Sequence, residues 1–382
     1  WLRTCSSGGG GKTAMTLLTV AGRGERLLAA LDERGLDQMI VSDRSNIRWL
    51  SGFTGSAGVL VISARGHVLI TDGRYTDQAR EQLDHAGASS IEVRTCRTLS
   101  EQRRVLAEIV SGRTAGAEAT VMSHDGWAAC SVDNELSPVD GVVGQLRRAK
   151  DEAEIALIAR AAEIATEALQ SIGHLLTPGV SEREIRDELE YKMRKLGAEG
   201  PSYETIVASG PTNAALPHAR PTSRQLAVGD TVVIDVGALV DGYHSDMTRS
   251  FVIGDPTDEQ QHWYQLVRES QLAGLAAVAV GVNVRDIDRA CRAVFEGADC
   301  ADLFVHGTGH GVGLDIHEEP FLGASGDVEL VAGDVVTVEP GLYRVGTGGI
   351  RIEDLVVVTP EGHRNLTTHP KDSPCPPSPQ TI

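Results

Sequence analysis

Two hydrophobic periods alternate along this chain. From 15 to about 145, short β-branched runs with period two are interleaved with longer stretches of helical period. The spacing predicts a helix over 22–35, a strand at 38–41, a strand pair at 59–63 and 67–71 around a turn, and helices over 74–85 and 100–110. A small α/β domain is the economical assembly of these elements. Lys-Asp-Glu-Ala-Glu at 150–154 then opens an Ala- and Ile-rich helix running to about 176, which Thr-Pro-Gly-Val at 177–180 breaks. Ser181 with Glu184 forms a capping box for the next helix, to about 196: the hydroxyl accepts a first-turn N–H and the carboxylate reaches back.

The pattern then repeats. Residues 179–186 resemble 281–288 at an offset of 102, and 226–235 resemble 330–339 at an offset of 104. Thr257 and Gln260 supply the capping box of the matching long helix. The unit is two helices followed by a strand hairpin, too long for a short-period solenoid. The duplication has a chemical consequence. Asp235 and Glu339 occupy equivalent positions, and Asp246 and Glu353 lie on the far arms of equivalent hairpins. A pseudo-twofold axis would bring all four acids together between the two copies.

Strand alternation is consistent with that convergence. Over 350–358, Ile350 and Ile352 would face one side while Arg351 and Glu353 face the other. A single acid in a strand is most simply a solvated edge or turn residue. The set is not, because Asp235 and Glu339 lie inside apolar runs where an unpaired charge is costly. His306, His310 and His317 cannot share a stable helix, since Gly307, Gly309, Gly311 and Gly313 would each cost about 1 kcal/mol there. Those glycines predict a backbone that passes close to something, with His310 as the best-placed ligand. Four carboxylates (Asp235, Asp246, Glu339, Glu353) and His310 make an oxygen-rich donor set that two divalent cations would neutralise. The chain therefore reads as a dinuclear metallohydrolase. His218 and His317 are candidates for touching substrate or shuttling a proton.

Composition narrows the alternatives. With 382 residues, 41% apolar and 23% charged, two ordinary globular domains fit. A net charge of −18 argues against a general nucleic-acid or anionic-membrane binder. The six cysteines form no CxxC pair, which makes a reducing cytoplasm the expected compartment. No apolar run approaches the roughly 18 residues that span a bilayer. Gly-Gly-Gly-Gly-Lys-Thr at 8–13 lacks both the Gly that a phosphate loop needs at position 6, where Ser6 stands, and a preceding strand. No GxSxG elbow or HExxH motif is present, and no cysteine lies in the acidic motifs.

With these residues in place, the sequence resembles the pita-bread metallopeptidases, namely aminopeptidase P, prolidase and, more distantly, methionine aminopeptidase. The resemblance spans about 20–370 and includes Gly-Phe-Thr-Gly-Ser-Ala-Gly at 52–58 and Thr-Asp-Gly-Arg-Tyr at 71–75, similar to segments of Xaa-Pro peptidases. It implies an α/β (α+β) chain: a creatinase-type N-terminal domain at 15–148, then a pseudo-twofold catalytic domain at 149–370 whose central antiparallel sheet is covered by helices. Residues 1–14 are expected to be disordered or artefactual and 371–382 a disordered tail.

The resemblance further implies that Asp235 chelates one ion, His310 and Glu339 the other, and that Asp246 and Glu353 bridge them. A hydroxide between the ions would cleave the N-terminal Xaa-Pro bond, with Glu339 moving its proton. His218, His317 and Arg351 would line the substrate site, and His306 would stand in an accessory position near the metals. Mn²⁺ is the expected ion, with Co²⁺ or Zn²⁺ as alternatives. Proline-containing peptides are the expected partners, and the chain is expected to form a homodimer. Competing readings are a non-catalytic pita-bread binding protein and a creatinase-like, metal-independent hydrolase. Both are disfavoured by retention of all five ligands.

Overall fold

The computed structural model describes residues 18–131 and 135–376, so the expectation for 1–14 lies outside the described residues. The first part of the chain builds a six-stranded mixed sheet in the order Glu92–Cys96, Val68–Asp72, Gly58–Ser63, Gln38–Val41, Ala115–Ala117, Leu136–Pro138. The predicted strand at 38–41 and the hairpin after it are present, and Gln38–Val41 pairs antiparallel with Gly58–Ser63. Helix Arg44–Ser51 was not anticipated. Two turns are too short to show a period; Asp43 starts the helix by accepting the Asn46 N–H at 2.9 Å, and Ile47, Trp49 and Leu50 bury its inner face. Strand Glu92–Cys96 is mostly exposed, so its pairing with Val68–Asp72, rather than its own pattern, makes it a strand.

The remainder is the duplicated unit in antiparallel strands. Helices Glu152–Ser171 and Glu182–Lys195 pack on the sheet of Thr248–Val252, Thr231–Asp235 and Ile206–Ser209. Helices Asp258–Ala277 and Val284–Gly297 pack on the five-stranded sheet that contains Val335–Val338 and Asp354–Thr359. Both predicted capping boxes form, and Asp151 adds a third that was not anticipated. Asp151, Ser181 and Thr257 each form a capping box, with Glu154, Glu184 and Gln260.

The two copies agree in detail. Bridge Ser181–Gln225 has its counterpart in Asn283–Glu329. Gly229 (φ 88°) and Gly333 (φ 89°) turn the chain in the left-handed region, which a Cβ disfavours. Asp230 and Asp334 each accept the backbone N–H three residues back, at 2.7 and 2.8 Å. In the first copy Ile164, Leu169 and Ile185 pack against Val232 and Ile234; in the second, Val267, Ile287 and Phe295 pack against Val336 and Val356. Truncating such a buried leucine or isoleucine to alanine costs about 2–5 kcal/mol.

Three expectations are corrected. The long helix stops at Ser171 and continues as a 3₁₀ turn, Gly173–Leu175, rather than running to 176, since Gly173 weakens the next turn. The strand over 350–358 is interrupted: Gly348–Arg351 and Asp354–Thr359 belong to different sheets, and Glu353 lies in the break. The segment expected to be a disordered tail from 371 is instead held at 371, 372 and 374, and 377–382 lie outside the described residues. Lys371 Nζ donates to Gln271 Oε1 at 2.7 Å and to Asp354, Arg268 pairs with Asp372 at 2.7 Å, and Val252 N–H donates to the Pro374 carbonyl at 2.8 Å. These anchors hold a segment whose proline content hides any period. Among the described residues, no helix is long and apolar enough to cross a membrane.

Candidate metal centre

Each acid stands where a strand begins or ends. Asp235 closes Thr231–Asp235, Asp246 precedes Thr248–Val252, Glu339 follows Val335–Val338, and Glu353 precedes Asp354–Thr359. His310 is the middle residue of Gly309–Gly311. The glycines around it do what their spacing predicted. A Cβ on Gly309 would lie 2.1 Å from the Thr337 carbonyl oxygen, and one on Gly311 would lie 2.4 Å from that of Glu319. Side chains there would push the imidazole away from the acids. All five residues, with His218, His306, His317 and Arg351, line one cleft of about 730 Å³.

At its floor, one ligand atom from each of Asp246, His310 and Glu353 lies within 4.8 Å of the others. His310 Nε2 is 3.6 Å from Asp246 Oδ2 and 3.5 Å from Glu339 Oε1. His310 Nδ1 lies 3.0 Å from the Gly311 carbonyl, which can only accept, so the ring hydrogen sits on Nδ1. The Nε2 lone pair then faces two acceptors. Burial holds this imidazole neutral by pushing its pKa down to about 4.

The carboxylates are crowded in the same way. Burial, then Asp235 and Glu339, holds Asp246 well above the ordinary carboxylate range; burial, then Asp246 and Glu339, does the same to Glu353. Burial raises Glu339 to about 8 against the opposing pull of Arg351. The Tyr203 hydroxyl contacts both Asp235 and Asp246, and one phenolic hydrogen cannot serve both. A lone pair aimed at carboxylates, and carboxylates aimed at one another, form a donor set that divalent cations fit.

Arg351 partly answers this charge. Its Nη2 lies 2.7 Å from Asp235 Oδ2, Nε donates to Thr248 Oγ1 at 3.0 Å, and Nη1 donates to the Pro217 carbonyl (2.9 Å) and the Tyr343 hydroxyl (2.8 Å). The guanidinium is thus engaged with protein groups while bordering the cleft. Tyr343 continues to His306 Nε2 at 3.0 Å, so His306 is linked to the acids through Tyr343 and Arg351. His317 sets its ring against His310, centroids 4.4 Å apart, and His218 is exposed at the cleft wall.

Three hydroxyls at the site were missed from the sequence. Thr248 Oγ1 donates to Glu353 Oε2 at 2.7 Å, and Tyr203 and Tyr343 act as described above. A signal existed for two of them. Thr248 is two residues beyond Asp246 on a β-run, and the repeat offsets of 102 and 104 set Tyr203 opposite 305–307, beside His306.

A pseudo-twofold antiparallel unit that gathers four acids and an imidazole at its cleft floor defines a pita-bread metallohydrolase. Metallopeptidase family M24 matches residues 156–360, and the Creatinase/Prolidase N-terminal domain matches 23–149. The chain is 33% identical over 347 residues to the Xaa-Pro dipeptidase of Pyrococcus furiosus, covering 90% of this chain and 97% of that one. Its fold matches the Xaa-Pro dipeptidase from Bacillus anthracis with a TM-score of 0.88 at 37% identity, over 93% and 99% of the two chains. It also matches the X-Pro aminopeptidase from Thermotoga maritima, with a TM-score of 0.82 at 36% identity, over 91% and 98%. The protein belongs to metallopeptidase family M24 and carries a creatinase/prolidase-type N-terminal domain.

Proposed function

We propose that this protein is a two-metal Xaa-Pro exopeptidase, cleaving the bond between an N-terminal residue and the proline that follows it. The observation that carries the reading is the cleft floor: His310 Nε2 faces Asp246 and Glu339, with Glu353 and Asp235 beside them. The names of the relatives support the substrate, and they include both dipeptidases and an aminopeptidase. The cleft wall also suits proline, because Ile316, Phe321, Leu322 and Val328 offer apolar surface to a ring without an N–H.

Asp235, Asp246, His310, Glu339 and Glu353 would hold the ions. When bound, two such ions supply a nucleophile at neutral pH and Lewis acidity toward the scissile carbonyl. The oxygen-rich set favours Mn²⁺, with Co²⁺ and Zn²⁺ as alternatives that the single imidazole also admits. Glu339 takes the proton of the attacking water and passes it to the leaving proline nitrogen. His218 and His317 orient the substrate carbonyl from the cleft wall. Arg351 holds Asp235 and adds positive charge beside the developing oxyanion. His306 steadies Tyr343 and, through it, Arg351. We further propose a homodimer working in the cytoplasm; the free thiols of Cys96, Cys291, Cys300 and Cys375 suit a reducing compartment. The domain division near 148 and 149 belongs to the same proposal.

The test is release of the N-terminal residue from matched Xaa-Pro and Xaa-Pro-Xaa peptides by Mn²⁺-loaded protein, with a chelated control. Cleavage of the dipeptide alone assigns a prolidase, and cleavage of the tripeptide an aminopeptidase P. No metal-dependent cleavage of either sinks the Xaa-Pro reading.

A further inference from the structure

Away from the cleft floor, a second set of buried charges joins the N-terminal part of the chain to the segment that carries His317. Arg147, at the end of helix Val142–Arg148, is buried. Its Nη2 lies 2.5 Å from Glu318 Oε2 and 2.8 Å from Asp315 Oδ2. Lys150 Nζ lies 2.6 Å from Glu318 Oε1, so each oxygen of this carboxylate meets its own cation. The Asp315 N–H closes on Glu318 Oε2 at 3.3 Å and the Gly313 N–H on the Asp315 carbonyl at 3.1 Å, which winds 313–318 around Glu318. Gly313 permits the winding: a Cβ there would lie 2.5 Å from Glu318 Oε1. On the N-terminal side, Ser45 donates to Asp315 Oδ1 at 2.5 Å and Arg147 Nη1 donates to Asn46 Oδ1 at 2.7 Å.

Between these anchors stand Ile316 and His317, both lining the cleft. Glu318 also pairs across the ladder with Gly311, the neighbour of His310. The charges that hold the loop therefore lie next in sequence, or next in register, to both imidazoles. Two cations and two carboxylates close this set internally, so it calls for no metal. Arg147, Lys150 and Glu318 pair largely out of water, with Asp315 partly exposed beside them. A loop held this way resists displacement, and a misplacement of about 1 Å at a reacting centre can cost on the order of a hundredfold in rate.

We propose that the N-terminal part of this chain helps position the active site: Arg147, in the last turn of that part, and Lys150, just past the domain division, act through Glu318 to hold His317 against His310 where it meets substrate. This rests on the reading of His317 as a substrate-contacting group given above. These three are positioning residues, since none of them touches the reacting atoms.

A double-mutant cycle on the full-length, Mn²⁺-loaded protein tests this. Glu318→Gln is measured with His317 present and in the His317→Ala background, reading kcat, KM and bound metal per chain. Glu318→Gln should lower kcat/KM about tenfold when His317 is present and less than about twofold when it is Ala, because a residue acting through another loses its effect once that residue is gone. Bound metal should be unchanged. Equal losses in both backgrounds, or no loss in either, would overturn the proposal. If Glu318→Gln does not fold, Arg147→Lys, which keeps the charge and loses the guanidinium fork, is judged by the same criterion. His317→Ala alone tests the underlying reading: full activity in that single variant removes the role of His317 and this proposal with it, whereas an impaired His317→Ala with an additive cycle removes only the positioning.

Discussion

Glu353 and Asp354 are adjacent in the chain, both are buried, and they belong to opposite kinds of region. Glu353 faces the cleft floor, where burial and the neighbouring Asp246 and Glu339 hold its carboxyl well above the ordinary range. Asp354 faces the other side, where Arg249 Nη2 meets it at 2.7 Å, Thr367 Oγ1 at 2.9 Å and Gln271 Nε2 at 3.1 Å, with Lys371 also bound. Burial would raise Asp354, yet Arg249 and Lys371 overcome it and pull the carboxyl down to about 2. The cluster around Asp354 is closed by its own cations and is structural. The cluster around Glu353 is short of positive charge even with Arg351 included, and that deficit marks it as a candidate cation site. The lesson is that a buried acid is informative according to what neutralises it.

The sharpest way to break this contrast is Glu353→Ala. Loss of this ligand should remove both ions and lower turnover by about a thousandfold or more; metal analysis and peptide kinetics check it. Retained metal with retained turnover would erase the distinction. The complementary change, Asp354→Asn, should cost about 3–5 kcal/mol of stability by leaving buried Arg249 underpaired. Denaturant unfolding measures that loss, and the folded fraction should still load metal. Lys371→Met should cost less, about 1–2 kcal/mol, because its side chain is partly exposed and Arg249 remains to hold Asp354.

A pH series sharpens the comparison further. In chelated protein Glu339 has a folded pKa of about 8 against an ordinary 4.5, so the folded state binds more protons than the unfolded state between those values. Stability of the metal-free protein should therefore fall as pH rises from about 4.5 to about 8, and added Mn²⁺ should abolish the fall. Asp354 has the opposite sign. Its contribution is present above the ordinary 3.8 and is lost as pH falls through about 2. Thermal unfolding across pH, with and without metal, reads both limbs. A further test is Arg351→Ala, which should lower kcat/KM about ten- to a hundredfold with a smaller loss of metal, since it acts on Asp235 from outside the ligand set. Equal loss of metal and activity would make Arg351 part of the scaffold of the centre.

Three of the five candidate ligands could be read from the chain because each is a polar residue in a frame that disfavours it, and Asp246 and Glu353 followed from the equivalence of the two hairpins. Asp235 and Glu339 interrupt apolar β-runs, and His310 stands among glycines too dense for a helix. The hydroxyls of Tyr203, Thr248 and Tyr343 could not be read this way, since a hydroxyl in a strand or the bend between strands is ordinary wherever it occurs. Lys371 was set aside with a proline-rich tail, and its role appears only when Asp354 and Gln271 are brought beside it.

Local pattern was sufficient for the order of the main elements and the capping boxes, which depend on residues a few positions apart, and comparing local patterns along the chain gave the duplication and the acids. Only the folded chain decided which acid is neutralised by protein and which is left for a cation. Those partners are remote: Arg351 reaches back to Asp235, Thr248 meets Glu353, and Arg147 meets Glu318 from the N-terminal part of the chain. Charge compensation depends on distance in space and on exclusion of water, and neither is written in the spacing of residues along a chain.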